Sequence, residues 1–305
     1  MGPEIYRIED LVKMNKPSNV IEEVQKIVHL IYPHFDFNQI YRVFEDILKL
    51  FHGEYPNFRR CNTRYHDLKH TTDCLMAMAR LIHGASVEGV NFQERDLTMG
   101  LIAALMHDTG YIQTIDDKSG TGAKYTLIHI SRSIDFSKKY FADNGFSTHD
   151  FEFCRNCLNC TGLDVKIRDI LFESPEQEML GKMLGTSDLL GQLAGRTYLE
   201  KLSFLFQEFQ EGGFFDYEDE FELLKKTYEF WEFTKKRLAA EFNHMDRFMI
   251  PHFRVRWGIN RNLYIEAIER NINCLKGIMD NHPADYQKYL KRGSLLVNGE
   301  QNESP

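Results

Sequence analysis

Apolar side chains recur at spacings of three and four residues along most of the chain, which is the period of one face of an α-helix. The clearest stripe begins just after Asp36, a plausible helix cap, and consists of Ile40, Val43, Phe44, Ile47, Leu48 and Phe51. A nearly unbroken apolar run, LTMGLIAALM at positions 97–106, indicates a buried central helix. Similar patterns predict helices over residues 126–141, 150–158, 176–193 and 218–242, and a last helix that carries Ile268, Ile272, Leu275 and Ile278.

The same pattern predicts the fold class. No run of alternating residues bounded by turn signals competes as a strand, so we expect an all-α fold. None of the breaks between helices is long enough to be an interdomain linker. We therefore expect one globular helical bundle over residues 36–290, which includes the C-terminal helices. An N-terminal helical arm (1–35) would precede it, and a disordered or loosely attached tail (291–305) would follow it.

Composition narrows the class of protein. The 305 residues, 43% of them hydrophobic, are enough to bury a full core. The net charge of −8 argues against duplex nucleic acid or an anionic membrane as a partner, because both favour positive charge. There is no stretch of about 18 apolar residues and no apolar run typical of a signal peptide, so the sequence predicts a cytoplasmic protein.

Six cysteines are too few for a disulfide scaffold in a chain of this length, so we expect reduced thiols. Three of them, Cys154, Cys157 and Cys160, have a spacing that superficially resembles an iron–sulfur motif. No fourth cysteine followed by proline accompanies them. The favoured interpretation is a stripe of small buried residues on one helix.

Candidate chemistry begins in the segment RYHDLKHTTDCLMAMARL, at positions 64–81. On a helix, His66, His70 and Asp73 would be separated by four and then three residues, so that their side chains would share one face. The alternative is a pair of surface or capped histidines without a ligand.

Two further positions place ionisable groups in apolar surroundings. His107 and Asp108 follow the apolar run at 97–106, and we expect Gly110 to end that helix, leaving both side chains near a pocket. Burying such a pair is costly unless it is paired or bound to a metal ion. Asp188 interrupts another apolar helix and also needs a cation or a hydrogen-bond donor, although capping of the local backbone is an alternative.

The ordered set His70, His107-Asp108 and Asp188 resembles the H…HD…D signature of the HD superfamily of metal-dependent phosphohydrolases. The string YHDLKHTTD at positions 65–73 further resembles the YHNxxHxxD motif of class I cyclic-nucleotide phosphodiesterases. The resemblance covers about residues 62–192. The sequence departs from the phosphodiesterase pattern at two places. Thr109, Gly110 and Tyr111 follow His107-Asp108 where the phosphodiesterases continue as HDxDH, and Asp67 stands where the YHNxxHxxD motif has asparagine.

The resemblance implies an HD-domain helical bundle and assigns roles to residues. His70, His107, Asp108 and Asp188 would bind one divalent metal ion, Asp108 would bridge to a second, and His66 would be the general acid. Tyr65, in the same string, would contact substrate. Asp73 would not bind the metal itself but would orient the imidazole of a metal ligand. Imidazole and carboxylate ligands suit Mn, Fe, Zn, Mg or Co, so the sequence does not distinguish these metals.

Three residues after the HD pair are weaker candidates. His129 would be an extra ligand, because relatives carry further histidines downstream of the HD pair; the alternative is an ordinary surface or core histidine. Lys124, in the loop 116–124, and Arg132 would contact a phosphate, although a mobile loop and a surface arginine are the ordinary interpretations.

The expected function is therefore hydrolysis of a phosphate ester, a phosphodiester or a nucleotide, by metal-activated water with a histidine acid. Two alternatives stay open, an HD-type di-iron oxygenase and a non-catalytic ligand-sensing HD domain. The expected partner is a small phosphorylated substrate such as a nucleotide. The sequence leaves open the natural substrate, the number of metal ions and whether the chain forms a homo-oligomer.

Overall fold

The computed structural model describes residues 6–290 as α-helices joined by loops and short 3-10 turns. The helices are α1 (Ile8–Leu11), α2 (Pro17–Ile31), α3 (Asn38–His52), α4 (Leu68–Val87), α5 (Glu94–Met106), α6 (His129–Asp143), α7 (Thr148–Asn159), α8 (Pro175–Leu193), α9 (Tyr198–Glu211), α10 (Glu220–Ala240), α11 (Met249–Trp257), α12 (Leu263–Asn281) and α13 (Tyr286–Leu290). Within this range the only β pairing is one isolated antiparallel bridge between Phe58 and Thr114. The predicted all-α class is confirmed.

Helix α4 lies at the centre of the bundle. It packs against α2, α5, α8 and α11, and nearly every residue from His70 to Ala85 is buried. Helix α5 is buried from Asp96 to Met106, as its apolar run predicts. His70 on α4 and His107, which directly follows α5, are therefore placed by two largely buried helices.

Helix α2 contributes to the same hydrophobic core. Its apolar face is buried against α4 and includes Val20, Val24 and Ile27, each with no exposed surface. Asp36 acts as expected at the start of α3, where its Oδ1 accepts a hydrogen bond from the Asn38 N–H at 3.0 Å.

Several segments differ from the predicted helices. Residues 122–125 form a 3-10 turn, so α6 begins at His129 rather than at position 126. Residues 198–211 and 249–257, to which the apolar pattern had assigned no element, form α9 and α11. The predicted loose tail at 291–305 lies outside the described residues. No helix within residues 6–290 combines the length and the hydropathy needed to cross a membrane.

The three cysteines on and just after α7 are buried. Burial raises the pKa of the Cys154 and Cys160 thiols to about 12, and it raises that of Cys157 as well. Protonated, buried thiols pack as small hydrophobic groups. Their positions agree with a packing stripe rather than an iron–sulfur ligand set.

Candidate active site

The first histidine of the candidate site lies outside the helix predicted for it. The carboxylate of Asp67 caps α4 by accepting a hydrogen bond from the His70 N–H at 2.9 Å, so the helix begins at Leu68. His66 therefore lies in the bend that precedes α4, and the predicted helical face shared by His66, His70 and Asp73 is wrong. The cap nevertheless places His70 in the first turn, where its side chain is buried.

The His107–Asp108 pair also follows the end of a helix. Helix α5 ends at Met106, and residues 109–111 form a 3-10 turn, so Gly110 does not end the helix as predicted. The Ser133 hydroxyl donates to the His107 carbonyl at 2.6 Å and accepts from the Gly110 N–H at 2.9 Å. Glycine is required at 110 for another reason: a Cβ there would lie 2.0 Å from the His129 carbonyl oxygen.

Four side chains from α4, α8 and the end of α5 converge at one point. The Nε2 atoms of His70 and His107 are 3.3 Å apart, and Asp108 Oδ2 lies 3.3 Å from each of them. Asp188 Oδ1 is 3.0 Å from His70 Nε2 and 3.7 Å from His107 Nε2. His70, His107 and Asp108 form the tightest group, which can hold a metal ion, and Asp188 joins it through the two imidazoles.

The chemistry and spacing of these donors fit a divalent cation. Asp108 Oδ2 is buried and has no hydrogen-bond donor, although two imidazole nitrogens are near it. Neighbouring ligands around an ion about 2.1 Å away would be separated by about 3.0 Å in an octahedral arrangement and about 3.4 Å in a tetrahedral one. The five measured separations lie close to these values.

Local contacts prepare His107 as a ligand. Its Nδ1–H donates to the Ala104 carbonyl at 2.9 Å, which leaves the Nε2 lone pair directed at the cluster when the ring is neutral. Without a cation, burial opposes a charge on His107, but Asp108 outweighs it and raises the pKa of the imidazole to about 9. Burial opposes ionisation of Asp108 too, yet His107 holds the pKa of that carboxyl well below its usual range.

Beside the cluster, His66 forms a hydrogen-bonded pair with Glu208 of α9. The distance from His66 Nδ1 to Glu208 Oε2 is 2.7 Å. The other oxygen, Oε1, accepts from the backbone N–H groups of Arg64 and Tyr65 at 2.7 and 2.6 Å. Burial lowers the pKa of His66, but Glu208 more than offsets this, so the pKa is raised above its ordinary value. The His66 Nε2 is left as the ring's remaining proton donor.

Sequence reasoning had not identified Glu208. The local pattern gave no signal, because at 100° per residue Glu208 lies on the face opposite the stripe of Leu199, Leu202 and Phe206, where a carboxylate is ordinarily exposed. It is buried, with only 5% of its surface exposed, which is rare for an unpaired carboxylate.

His129 lies next to His66, on the far side of the 3-10 turn. The Tyr111 ring stacks against both, with centroid separations of 4.4 Å to His66 and 4.7 Å to His129. The His129 Nδ1–H donates to the Thr126 carbonyl at 2.6 Å. Burial lowers the pKa of His129. It is outside the tight metal-binding group of the described residues, and its role as a ligand of a second ion stays a prediction.

A narrow pocket opens beside His70. Its lining includes Tyr65, Lys69, Asp73, Gln192, Tyr198 and Lys201. The Tyr65 hydroxyl is buried without a hydrogen-bond partner, and its predicted contact with substrate stays a prediction. Asp73 pairs with Lys69 rather than with an imidazole, so its predicted orienting role is wrong. Lys201 pairs with Asp67 at 2.8 Å.

The two predicted phosphate contacts have structural partners instead. The Lys124 ammonium binds the Asp117 carboxylate, the Ser119 carbonyl at 2.7 Å and the Ser119 hydroxyl at 3.0 Å. The Arg132 guanidinium donates to the carbonyls of Gly110 at 2.7 Å and Ile112 at 3.0 Å, and lies 3.5 Å from the centroid of the Tyr125 ring. Both cations stabilise the loop around the site, and their predicted contact with phosphate stays a prediction.

Comparison with known proteins gives a family but no activity. No curated protein and no solved structure matches the chain. The family described as Npun_R2479-like matches over residues 19–247, which is more than half of the 305 residues. This range contains the four converging side chains as well as His66 and Glu208. The chain therefore belongs to the Npun_R2479-like family.

Proposed function

We propose that this protein is a metal-dependent phosphohydrolase of the HD type that hydrolyses a phosphate ester, either a phosphodiester or a nucleotide. The observation that carries the proposal is the convergence of His70, His107, Asp108 and Asp188 at a buried point, with separations of 3.0–3.7 Å between the contacting atoms. The order of these residues along the chain and the all-α fold agree with the HD signature.

The four side chains would hold a divalent cation, and Mn, Fe, Zn, Mg and Co are all compatible with two imidazoles and two carboxylates. When bound, such an ion lowers the pKa of a water molecule to provide hydroxide near neutral pH, and it neutralises charge on phosphoryl oxygens. The Ala104 carbonyl orients His107, and the Asp67 cap places the His70 backbone. These contacts reduce the reorganisation needed for binding.

His66 would supply the proton for the leaving group. Its ring centroid lies 5.9 Å from that of His70, so the acid is beside the ligand cluster rather than inside it. Glu208 accepts a hydrogen bond from the Nδ1–H and stabilises the imidazolium, while Nε2–H is available to the departing oxygen. The stack on Tyr111 fixes the plane of the ring.

The pocket beside His70 suits an anionic substrate. Lys69 and Lys201 line it together with one carboxylate, that of Asp73, so the lining has an excess of positive charge. Both ammonium groups pair with carboxylates in this structure, and a phosphate would bind them by displacing Asp73 or Asp67. The unpartnered Tyr65 hydroxyl is a donor for a phosphoryl or sugar oxygen.

The test is hydrolysis of bis-p-nitrophenyl phosphate by protein that has been stripped with a chelator and reloaded with each candidate metal. We expect activity to return with metal in the wild type and to be lost in Asp108→Asn and Asp188→Asn. Asp96→Asn is a matched control, because Asp96 is also a buried carboxylate and accepts a hydrogen bond from Gln177 at 3.1 Å, away from the cluster.

Two results would contradict the proposal. The first is metal-independent hydrolysis, or equal activity in the Asp108 and Asp96 variants. The second is stoichiometric bound iron with no hydrolysis of any phosphate ester, which would favour a di-iron oxygenase. A chain that binds neither metal nor phosphate ester would instead agree with a ligand-sensing domain.

A further inference from the structure

A second cavity lies at the opposite end of α4 from the candidate active site. It has a volume of about 410 Å³, and its lining includes Leu30, Ile31, His83, Ser86, Val87 and Val90. His83 follows His70 by 13 residues on the same helix, so the two sites are about 20 Å apart along its axis. The volume is within the range of small-molecule sites.

His83 lines the cavity, and a second buried histidine, His252, packs against it from behind. His83 Nδ1 lies 3.1 Å from His252 Nδ1, and both rings are at most 3% exposed. Burial and the charge of Arg256 lower the pKa of His83 to about 4, and burial and the charge of Arg80 lower that of His252 well below its ordinary value. Both rings are therefore neutral near pH 7, and a single proton is shared in the contact between them.

The charge behind these histidines is not balanced. Arg80 has no exposed surface, and its Nη1 donates to the Tyr264 hydroxyl at 2.9 Å. Its Nε and Nη2 have no acceptor, and no carboxylate of residues 6–290 forms an ion pair with it. Arg256 pairs with Glu23 at 2.8 Å. The cluster therefore contains one buried positive charge in excess, which is costly without a counter-ion.

The hydrogen-bond donors of the cavity follow from this charge. The neutral His252 ring can carry its proton on either nitrogen. The positive charge of Arg80 acts on this ring and favours the tautomer in which Nε2 keeps its lone pair. His252 Nδ1–H then donates to His83 Nδ1, and His83 carries its own proton on Nε2. Ser86 adds a buried hydroxyl that has no partner. The polar side of the cavity thus offers donors.

The remaining lining is apolar and partly open to solvent. Leu30 and Val87 expose 54% and 37% of their surfaces at the cavity, and Ile31 and Val90 lie beside them. Exposed aliphatic side chains at one cavity are typical of a binding surface. A ligand that fits must therefore combine an apolar body with one group that accepts hydrogen bonds.

We propose that this cavity binds a small amphipathic monoanion, a carboxylate on an aliphatic body. One negative charge balances the single excess charge of the cluster around Arg80. The carboxylate accepts from the His83 Nε2–H and the Ser86 hydroxyl, and the aliphatic body covers Leu30 and Val87. This ligand site is separate from the proposed phosphohydrolase centre and does not depend on it.

The first test is isothermal titration of the full chain with octanoate and, as an uncharged control of equal length, octanol. We expect octanoate to bind one equivalent per chain about tenfold or more tightly than octanol, because a charge-assisted hydrogen bond is lost in the alcohol. Absence of octanoate binding at millimolar concentration would overturn the proposal. Equal affinity for the two compounds would also overturn it.

Two variants locate the site. Arg80→Met removes the buried charge while keeping the aliphatic volume, and should weaken octanoate about tenfold but leave octanol unchanged. Arg247→Met is the matched control, since this exposed guanidinium binds the backbone carbonyls of Asn243 and His244.

Val87→Trp obstructs the partly exposed rim without touching the charged cluster, and should weaken the binding of both compounds. Wild-type octanoate affinity in either Arg80→Met or Val87→Trp would overturn the assignment.

Discussion

Replacing Glu208 by glutamine tests the role of His66 more sharply than removing the histidine. The two backbone amides of Arg64 and Tyr65 hold one side-chain oxygen of residue 208, at 2.7 and 2.6 Å. In Glu208→Gln that oxygen stays in place, and the amide NH₂ then faces His66 Nδ1. A donor facing Nδ1 disfavours the imidazolium, which needs a proton there.

The size of the effect follows from the lost hydrogen bond. A hydrogen bond to a charged group contributes about 1.5–3 kcal/mol, and one pKa unit corresponds to about 1.4 kcal/mol, so the pKa of His66 should fall by about one to two units. In the wild type Glu208 raises this pKa against the effect of burial. A general acid acts in its protonated form, so activity is lost as pH rises through the pKa. The alkaline limb of kcat should therefore move to lower pH by about one to two units in the variant.

The assay is a pH profile of kcat with two substrates. The phenolate leaving group of diphenyl phosphate needs a proton from the acid, whereas the p-nitrophenolate of bis-p-nitrophenyl phosphate depends less on protonation. Glu211→Gln is the control: Glu211 is also on α9, but it accepts from the Thr121 hydroxyl at 2.6 Å instead of from His66. An alkaline limb at the same pH in wild type and Glu208→Gln would refute the reasoning. So would an equal shift in the Glu211 variant.

Three further predictions concern the metal ligands, the acid and the loop. Asp108→Ala should abolish activity and lower bound metal, measured by elemental analysis, while the helical circular dichroism stays nearly unchanged. His66→Ala should keep its metal but lose roughly two to four orders of magnitude in kcat on diphenyl phosphate, and less on bis-p-nitrophenyl phosphate; an equal loss on both would contradict the acid role. Lys124→Met should lower the melting temperature, because its ammonium binds Asp117 and Ser119, and leave KM unchanged; a raised KM would restore Lys124 as a substrate contact.

Three of the four converging residues could be singled out from the sequence because each disturbs a local pattern. His107 and Asp108 follow an apolar run, and Asp188 interrupts one. The neighbouring residues therefore predict burial, which is costly for an ionisable side chain without a partner. The fold class follows from the same periodicity, which the structure confirms. The fold class needed only this local pattern, whereas joining His70, His107, Asp108 and Asp188 into one set relied on the resemblance to the HD signature.

Other parts of the site depend on contacts between distant segments. Glu208 lies 142 residues after His66, and the local sequence around either residue does not predict that the two side chains are in contact. Lys124 and Arg132 carry charges suited to phosphate. In the folded chain, however, Lys124 forms an ion pair with Asp117, and Arg132 donates hydrogen bonds to backbone carbonyls. The helical spacing of His66 and His70 was misleading because the Asp67 side chain ends the helix between them.

The close approach at Gly110 affects how mutational data on this family should be interpreted. A Cβ at this position would lie 2.0 Å from the His129 carbonyl oxygen and 2.8 Å from the Ser133 nitrogen, so any other residue forces α6 away from the turn after His107. A saturation screen for activity would score position 110 as intolerant as Asp108, although glycine has no side chain to take part in chemistry. Protein abundance measured in parallel separates the two classes: Gly110 variants should be depleted from cells, whereas Asp108 variants should accumulate as inactive protein.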